Sequence, residues 1–159
     1  MSGIENIISQ VPMFKSLPKE AVSLIASCGE EVTFEPETQI LTEGAMASTF
    51  YIIKTGTVSL QVREPQAIPI VVQTISSNSL LGLSWLSPPY QWAFDAFALE
   101  KVTAIEFHAA CVREKLSASP EYGFVILQAI LNVFLDRLQA TRTRMIDIYD
   151  ADRKAIPGD

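Results

Sequence analysis

FYIIKTGTVSL, residues Phe50–Leu60, decides how this chain folds. An aromatic and β-branched run, Phe50–Ile53, leads into Lys54, Thr55 and Gly56, which read as a hairpin turn with Gly56 taking a positive φ. In the run that follows, Val58, Leu60 and Val62 face one way and Thr57, Ser59 and Gln61 the other, the pattern of a half-buried antiparallel strand. The same texture extends outward from Glu31 to His108, where EEVTF, IPIVVQTI and VTAIEF are further short strand-like runs separated by turn residues. The middle of the chain therefore reads as a small β sandwich or barrel.

Helical periodicity flanks it on both sides. Ile4, Ile7, Ile8 and Val11 make a short amphipathic helix. In SLPKEAVSLIASCG, Pro18 stands in a first turn, Ala21, Leu24, Ile25 and Cys28 form an apolar stripe, and Gly29 is expected as the C-terminal cap. After His108, HAACVREKLSA reads as a short helix. Ser119, Pro120 and Glu121 then open a long one, expected to reach about Asp152.

The long helix carries its own explanation. Phe124, Leu127, Leu131, Phe134, Leu138, Thr141, Met145 and Ile148 are spaced alternately by three and four residues, an a/d seam that asks for a partner helix. A second stripe, Ile126, Ile130 and Val133, is confined to the first half. The expectation is that the first half packs on the β region of its own chain. Leu131, Phe134, Leu138, Thr141, Met145 and Ile148 are then the interface of a homodimer.

Composition narrows the rest. At 159 residues the chain fits one domain: N-terminal helices over 1–30, a β-roll over 31–108, C-terminal helices with the dimerisation seam over 109–152, and a tail over 153–159. Cys28 and Cys111 form no C-x-x-C pair, so the expectation is two unpaired core cysteines in a reduced, cytoplasmic protein. The N-terminus lacks the basic and apolar regions of a signal peptide, and no run is expected to approach a transmembrane helix. A formal charge of −6 argues against direct binding of DNA or RNA. His108 is the only histidine, too few for a cupin-type metal site, and no catalytic triad or phosphate-binding loop occurs. Neither cofactor nor metal is implied, and the chain is not expected to be an enzyme.

Helices before and after a β region with a glycine turn resemble the cyclic-nucleotide-binding domain of the catabolite-activator and protein-kinase-A regulatory families. Phe14 and Leu17, "ILTEG" with Gly44, "FYIIKTGTVSL" and "VVQTISSNSLLG" ending at Gly82 carry the resemblance, and "YIIKTGTV" is its most specific part. It implies a mainly β fold with flanking helices: an antiparallel β jelly-roll (double-stranded β-helix) with N-terminal helices and a long C-terminal helix. Glu37 and Asn78 occupy positions where the family commonly has turn glycines. Factors of the catabolite-activator type also carry a helix-turn-helix domain of about sixty residues after the long helix. This chain ends nine residues after Asp150, so operator binding by that route is not expected.

In that family the segment corresponding to LLGLSWLSPPYQWAFDAFALE, residues 80–100, is the phosphate-binding cassette. A glycine is followed there by a glutamate for the ribose hydroxyl, and later by an arginine for the phosphate. Here Leu83 follows Gly82, and aligning "DAFALE" puts Phe97, followed by Ala98, at the arginine. The stretch also resembles a bacterial variant with Gly-x-Ser-Trp-Leu, Pro-Pro-Tyr and an arginine where Phe97 stands. Losing the charge-assisted partner of a buried anion costs about 3–5 kcal/mol. Cyclic AMP and cyclic GMP are therefore expected to bind weakly or not at all.

Trp85, Trp92 and Phe94 are expected to fill the vacated space, leaving a non-enzymatic regulatory or protein-interaction module with an unidentified protein partner. The alternative is a sensor of a different, less anionic ligand. Its candidate residues are Gly82, Leu83, Ser84, Trp85, Trp92, Asp95, Phe97 and Ala98, with Asp95 equally suited to accepting backbone N–H bonds.

Overall fold

The structure, a computed structural model, describes residues 3–62 and 68–155. Two helices, α1 (Gly3–Gln10) and α2 (Lys19–Ala26), lead into eight strands among the described residues. These are β1 (Gly29–Phe34), β2 (Gln39–Leu41), β3 (Thr49–Thr55), β4 (Val58–Val62), β5 (Ile70–Ile75), β6 (Leu80–Leu81), β7 (Asp95–Ala98) and β8 (Val102–His108). Helices α3 (Ala109–Ala118) and α4 (Pro120–Ala155) follow. Of the tail expected at 153–159, residues 153–155 continue α4 and 156–159 lie outside the described residues.

The strands form two antiparallel four-stranded sheets, ordered β1-β8-β3-β6 and β2-β7-β4-β5. Strand β3 shows why. Successive side chains point to opposite faces, yet Phe50, Tyr51, Ile52 and Ile53 are all buried. Phe50 and Ile52 join Ile105 and Phe107 in a core shared with the helices. Tyr51 and Ile53 join Val58, Leu60, Ala96 and Ala104 in the core between the sheets. One strand thus supplies two cores, at about 1.5–3 kcal/mol for each large side chain buried.

Gly56 makes the β3–β4 turn as expected. Its φ is +92°, and a Cβ would sit 2.4 Å from the Lys101 carbonyl oxygen. Glu37 and Asn78, read as stand-ins for turn glycines, adopt φ of 70° and 64°. Ser59, expected on the solvent face of β4, is 1 % exposed.

Gly29 is not a helix cap. It opens β1 opposite Phe107, where a Cβ would lie 2.9 Å from side-chain atoms of both Ile105 and Phe107. Pro18 stands at the N-cap of α2, one step earlier than expected. The first half of α4 buries Ile126 and Ile130 as read, in the core that Phe50, Ile52 and Phe107 share with the helices, and packs on α2, α3 and the Pro12–Phe14 turn. Contrary to expectation, α4 holds an 18-residue window of mean hydropathy 1.3, long and apolar enough by length and composition to cross a membrane. Its apolar residues include the buried Ile126, Ala129 and Ile130 and the exposed seam, with Leu135, Ile146 and Tyr149 exposed outside both.

The largest correction concerns the cysteines. Cys28 and Cys111 are joined by a disulfide, with Cα atoms 5.9 Å apart across 83 residues of sequence. The β1–β8 register pairs Gly29 with Phe107, which brings Cys28 beside the start of α3. The inference of a reducing compartment, which rested on unpaired thiols, loses its support. A cross-link closing a loop of that length stabilises by up to about 4.5 kcal/mol in the chain-entropy account. Reduction by a phosphine is therefore expected to lower the urea midpoint substantially, and an unchanged midpoint would show the bond to be energetically idle.

Candidate functional site

The cassette begins where β6 ends. Gly82 takes φ +87° and turns the chain into a short 3-10 helix, Leu83–Leu86. A Cβ at Gly82 would approach Trp92 Nε1 to 3.3 Å, so the turn and the close contact favour glycine together. The chain then passes a cis Pro88–Pro89 peptide and Tyr90 before entering β7. Pairing with an earlier loop holds this return path: Ala47 N–H donates to Tyr90 O at 2.6 Å, and Gly44 N–H to Trp92 O at 2.9 Å.

Trp85 does not line a pocket. It is fully buried, stacked on Phe50 at 4.4 Å between centroids and 9° between planes, with Phe50 in turn 4.8 Å from Phe107. From α3, Arg113 Nη1 donates to Trp85 O at 2.6 Å, and its guanidinium lies 4.6 Å from the Tyr90 ring centroid. The 3-10 helix is thus fixed from inside by a ring and from outside by a cation. Trp85 Nε1 is buried without a hydrogen-bond partner among the described residues, as is Trp92 Nε1.

Between the cassette, the second sheet and α4 lies an open cavity of about 310 Å³. Gly82, Leu83, Ser84, Trp92, Ala93 and Phe94 line it from the cassette, Leu41, Leu60 and Gln73 from the sheet, and Phe134, Arg137, Leu138 and Thr141 from α4. The expectation that aromatics fill this space is corrected. Trp85 is drawn into the helix-side core, and Trp92 and Phe94 wall the cavity instead of plugging it.

Four of the eight expected ligand residues, Gly82, Leu83, Ser84 and Trp92, meet there. The other four do not. Ala96 and Ala98 alternate inward on β7 and are buried between the sheets, so Phe97 projects from the opposite face, beside Ser59 and Gln39 in register. Phe97 therefore does not occupy an anion position in this cavity. Asp95 accepts from Glu43 N–H at 2.8 Å and Gln39 Nε2 at 3.3 Å, the structural role open to it. Arg137, Gln73, Leu41 and Leu60 were missed. Only Arg137 carried a signal, standing next to the seam residue Leu138.

His108 pairs with Glu30 at 3.3 Å on an exposed surface. Glu106 joins them, so that two carboxylates and an imidazole have ligand atoms within 4.8 Å of one another. Nearby on β3, burial pushes the Tyr51 phenol up to about 12.

Residues 31–119 match the family described as the cyclic nucleotide-binding domain. A CRP-like cAMP-activated global transcriptional regulator of Mycobacterium tuberculosis is 21 % identical over 155 residues, covering 98 % of this chain and 66 % of that protein. The chain thus spans just under two thirds of that relative's length. A cyclic nucleotide-binding domain from Methylobacillus flagellatus superposes with a TM-score of 0.78 at 17 % identity, covering 91 % of this chain and 81 % of the other. The N-terminal domain of a transcriptional regulator from Streptomyces coelicolor gives 0.68 at 22 %, covering 87 % and 94 %.

Trp85→Ala removes the ring that fixes the cassette, and a cost of about 3–5 kcal/mol in urea unfolding is expected. A loss below about 1 kcal/mol would mean that the stack is not what holds this segment.

Proposed function

The chain belongs to the cyclic nucleotide-binding domain family, which its residues 31–119 match, and we propose that it is a non-enzymatic regulatory module whose cassette cavity receives a small ligand other than cyclic AMP or cyclic GMP. The open cavity of about 310 Å³ carries this reading. It lies at the small end of the range for ligand sites, and its walls are mostly apolar with a few polar groups, the usual make-up of such sites.

Cyclic nucleotides fit it poorly. No cassette residue on the cavity wall is charged: Gly82, Leu83, Ser84, Trp92, Ala93 and Phe94 supply one hydroxyl and otherwise apolar surface. Leu83 stands where the family's acid would accept from the ribose. Arg113 is committed to Trp85 O and the Tyr90 ring. An anion pressed against Leu83 and Trp92 would lose hydration without recovering it. The end of the ligand that faces the cassette is therefore uncharged and apolar.

The regulatory side of the proposal rests on α4. Phe134, Leu138 and Thr141 wall the cavity and also belong to the heptad seam. Along that seam Leu131 is 55 % exposed, Leu138 65 % and Met145 66 %. Such a row of apolar side chains is completed by a second copy of the helix, so the module is a homodimer through Leu131, Phe134, Leu138, Thr141, Met145 and Ile148. Because three residues serve both roles, ligand occupancy and helix pairing influence each other.

Two experiments test this. Calorimetric titration with cyclic AMP and cyclic GMP is expected to give constants no tighter than about millimolar, since losing a buried anion's partner costs a factor of several hundred or more. A micromolar constant for either would sink the ligand assignment. Leu138→Glu with Met145→Glu is expected to yield a folded chain at half the native sedimentation mass, and an unchanged mass would remove the seam as the interface.

A further inference from the structure

Among the described residues Arg137 is the one cation on the cavity wall, and the proposed function leaves it unassigned. It also lines a second cavity of about 460 Å³, set between Val11–Met13, Ser77–Leu80 and α4. The guanidinium thus stands between two spaces. Its Nη2 donates to the Leu80 carbonyl oxygen. A guanidinium has five N–H donors, so a single carbonyl leaves most of them unspent.

No carboxylate among the described residues lies within 4.0 Å of the Arg137 charge. Among the described residues the ion pairs within 4.0 Å are Lys54–Glu31 and His108–Glu30, neither of which involves Arg137. Asp136, its neighbour in sequence, lines the second cavity but not the first. Burial without a compensating acid lowers the Arg137 pKa to about 10, which still leaves it charged at neutral pH. Arg144 supplies the contrast. One heptad further along α4, it makes the same kind of bond, Nη1 to Val72 O at 2.6 Å, but is exposed and lines neither cavity. Tying the helix to a strand carbonyl therefore does not require a cation in the cavity wall.

Resting on the assignment of the cassette cavity as a ligand site, we infer that its ligand is a compact amphipathic monoanion. Its single acidic group lies against Arg137 of α4 and its apolar body against Leu83, Trp92 and Phe94. The charge partner comes from the helix and not from the cassette, so the orientation is the reverse of that in a site whose anion is gripped by the cassette. A charge-assisted, bidentate pair is the strong form of such an interaction. It would also tie the ligand to the helix that bears the seam.

The matched probes are 2-naphthoate and its uncharged amide, 2-naphthamide, titrated by calorimetry. The native protein is expected to bind the carboxylate tighter by roughly tenfold or more. Arg137→Met is expected to erase that preference while leaving the amide within about twofold of native, a result that also reports an intact fold. Arg137→Lys should keep most of the preference, and Arg144→Met all of it. Equal binding of the two compounds by the native protein, or a preference that survives Arg137→Met, would overturn the inference while leaving the cavity assignment standing. Should neither compound bind, or should Leu83→Trp leave both affinities unchanged, the cavity assignment itself fails and takes the inference with it.

Discussion

The stack of Trp85 on Phe50 on Phe107 is the contact on which the rest of the molecule depends. It joins three segments distant in sequence: the cassette, the central strand β3 and the strand β8 beside it. Aromatic rings bury large areas and hold defined relative orientations, so the stack fixes the cassette's depth as well as its attachment. Trp85 spent in this way cannot also close the cavity. The space between cassette and helix stays open with the Trp85 ring anchored on the far side.

That division follows from strand geometry. A sheet covered on both faces needs apolar residues at consecutive positions, and Phe50–Ile53 supply them. The odd and even members serve different cores. On β7 the same alternation sends Ala96 and Ala98 inward, into the core between the sheets, and Phe97 outward.

Much of this could be read from the residues, and the failures share a cause. The hairpin at Gly56 and the buried stripe of Ile126 and Ile130 are local, so nearby spacing suffices to find them, whereas the turns at Glu37 and Asn78 came from the family resemblance. The two expected polar-anchor positions, Leu83 and Phe97, were read by the same linear logic, and only Leu83 lies at the cavity. Whether Phe97 faces in or out depends on one residue of register, which a shift reverses. The disulfide was invisible for a stronger reason. It depends on β1 pairing with β8 across most of the chain, and nothing near either cysteine announces that pairing. Arg137 was legible as a charge beside a seam. Its place at the junction of two cavities required the packing of α4 against both sheet edges, at Leu80 of β6 and Val72 of β5.

The cross-link between Cys28 and Cys111 also gives the molecule a mechanical division. All eight described strands and the cassette lie between these two positions, so they form a covalent ring. Helices α1, α2 and α4 lie outside it, with α4 joined to the ring only through the remainder of α3. A force or displacement applied along α4 reaches the ring by that one covalent path, and otherwise only through side-chain contacts such as those of Arg137 and Arg144. The helix that bears the seam and the cross-linked ring are therefore separate lengths of chain, joined covalently by a few residues and otherwise by packing such as that of Ile126 and Ile130.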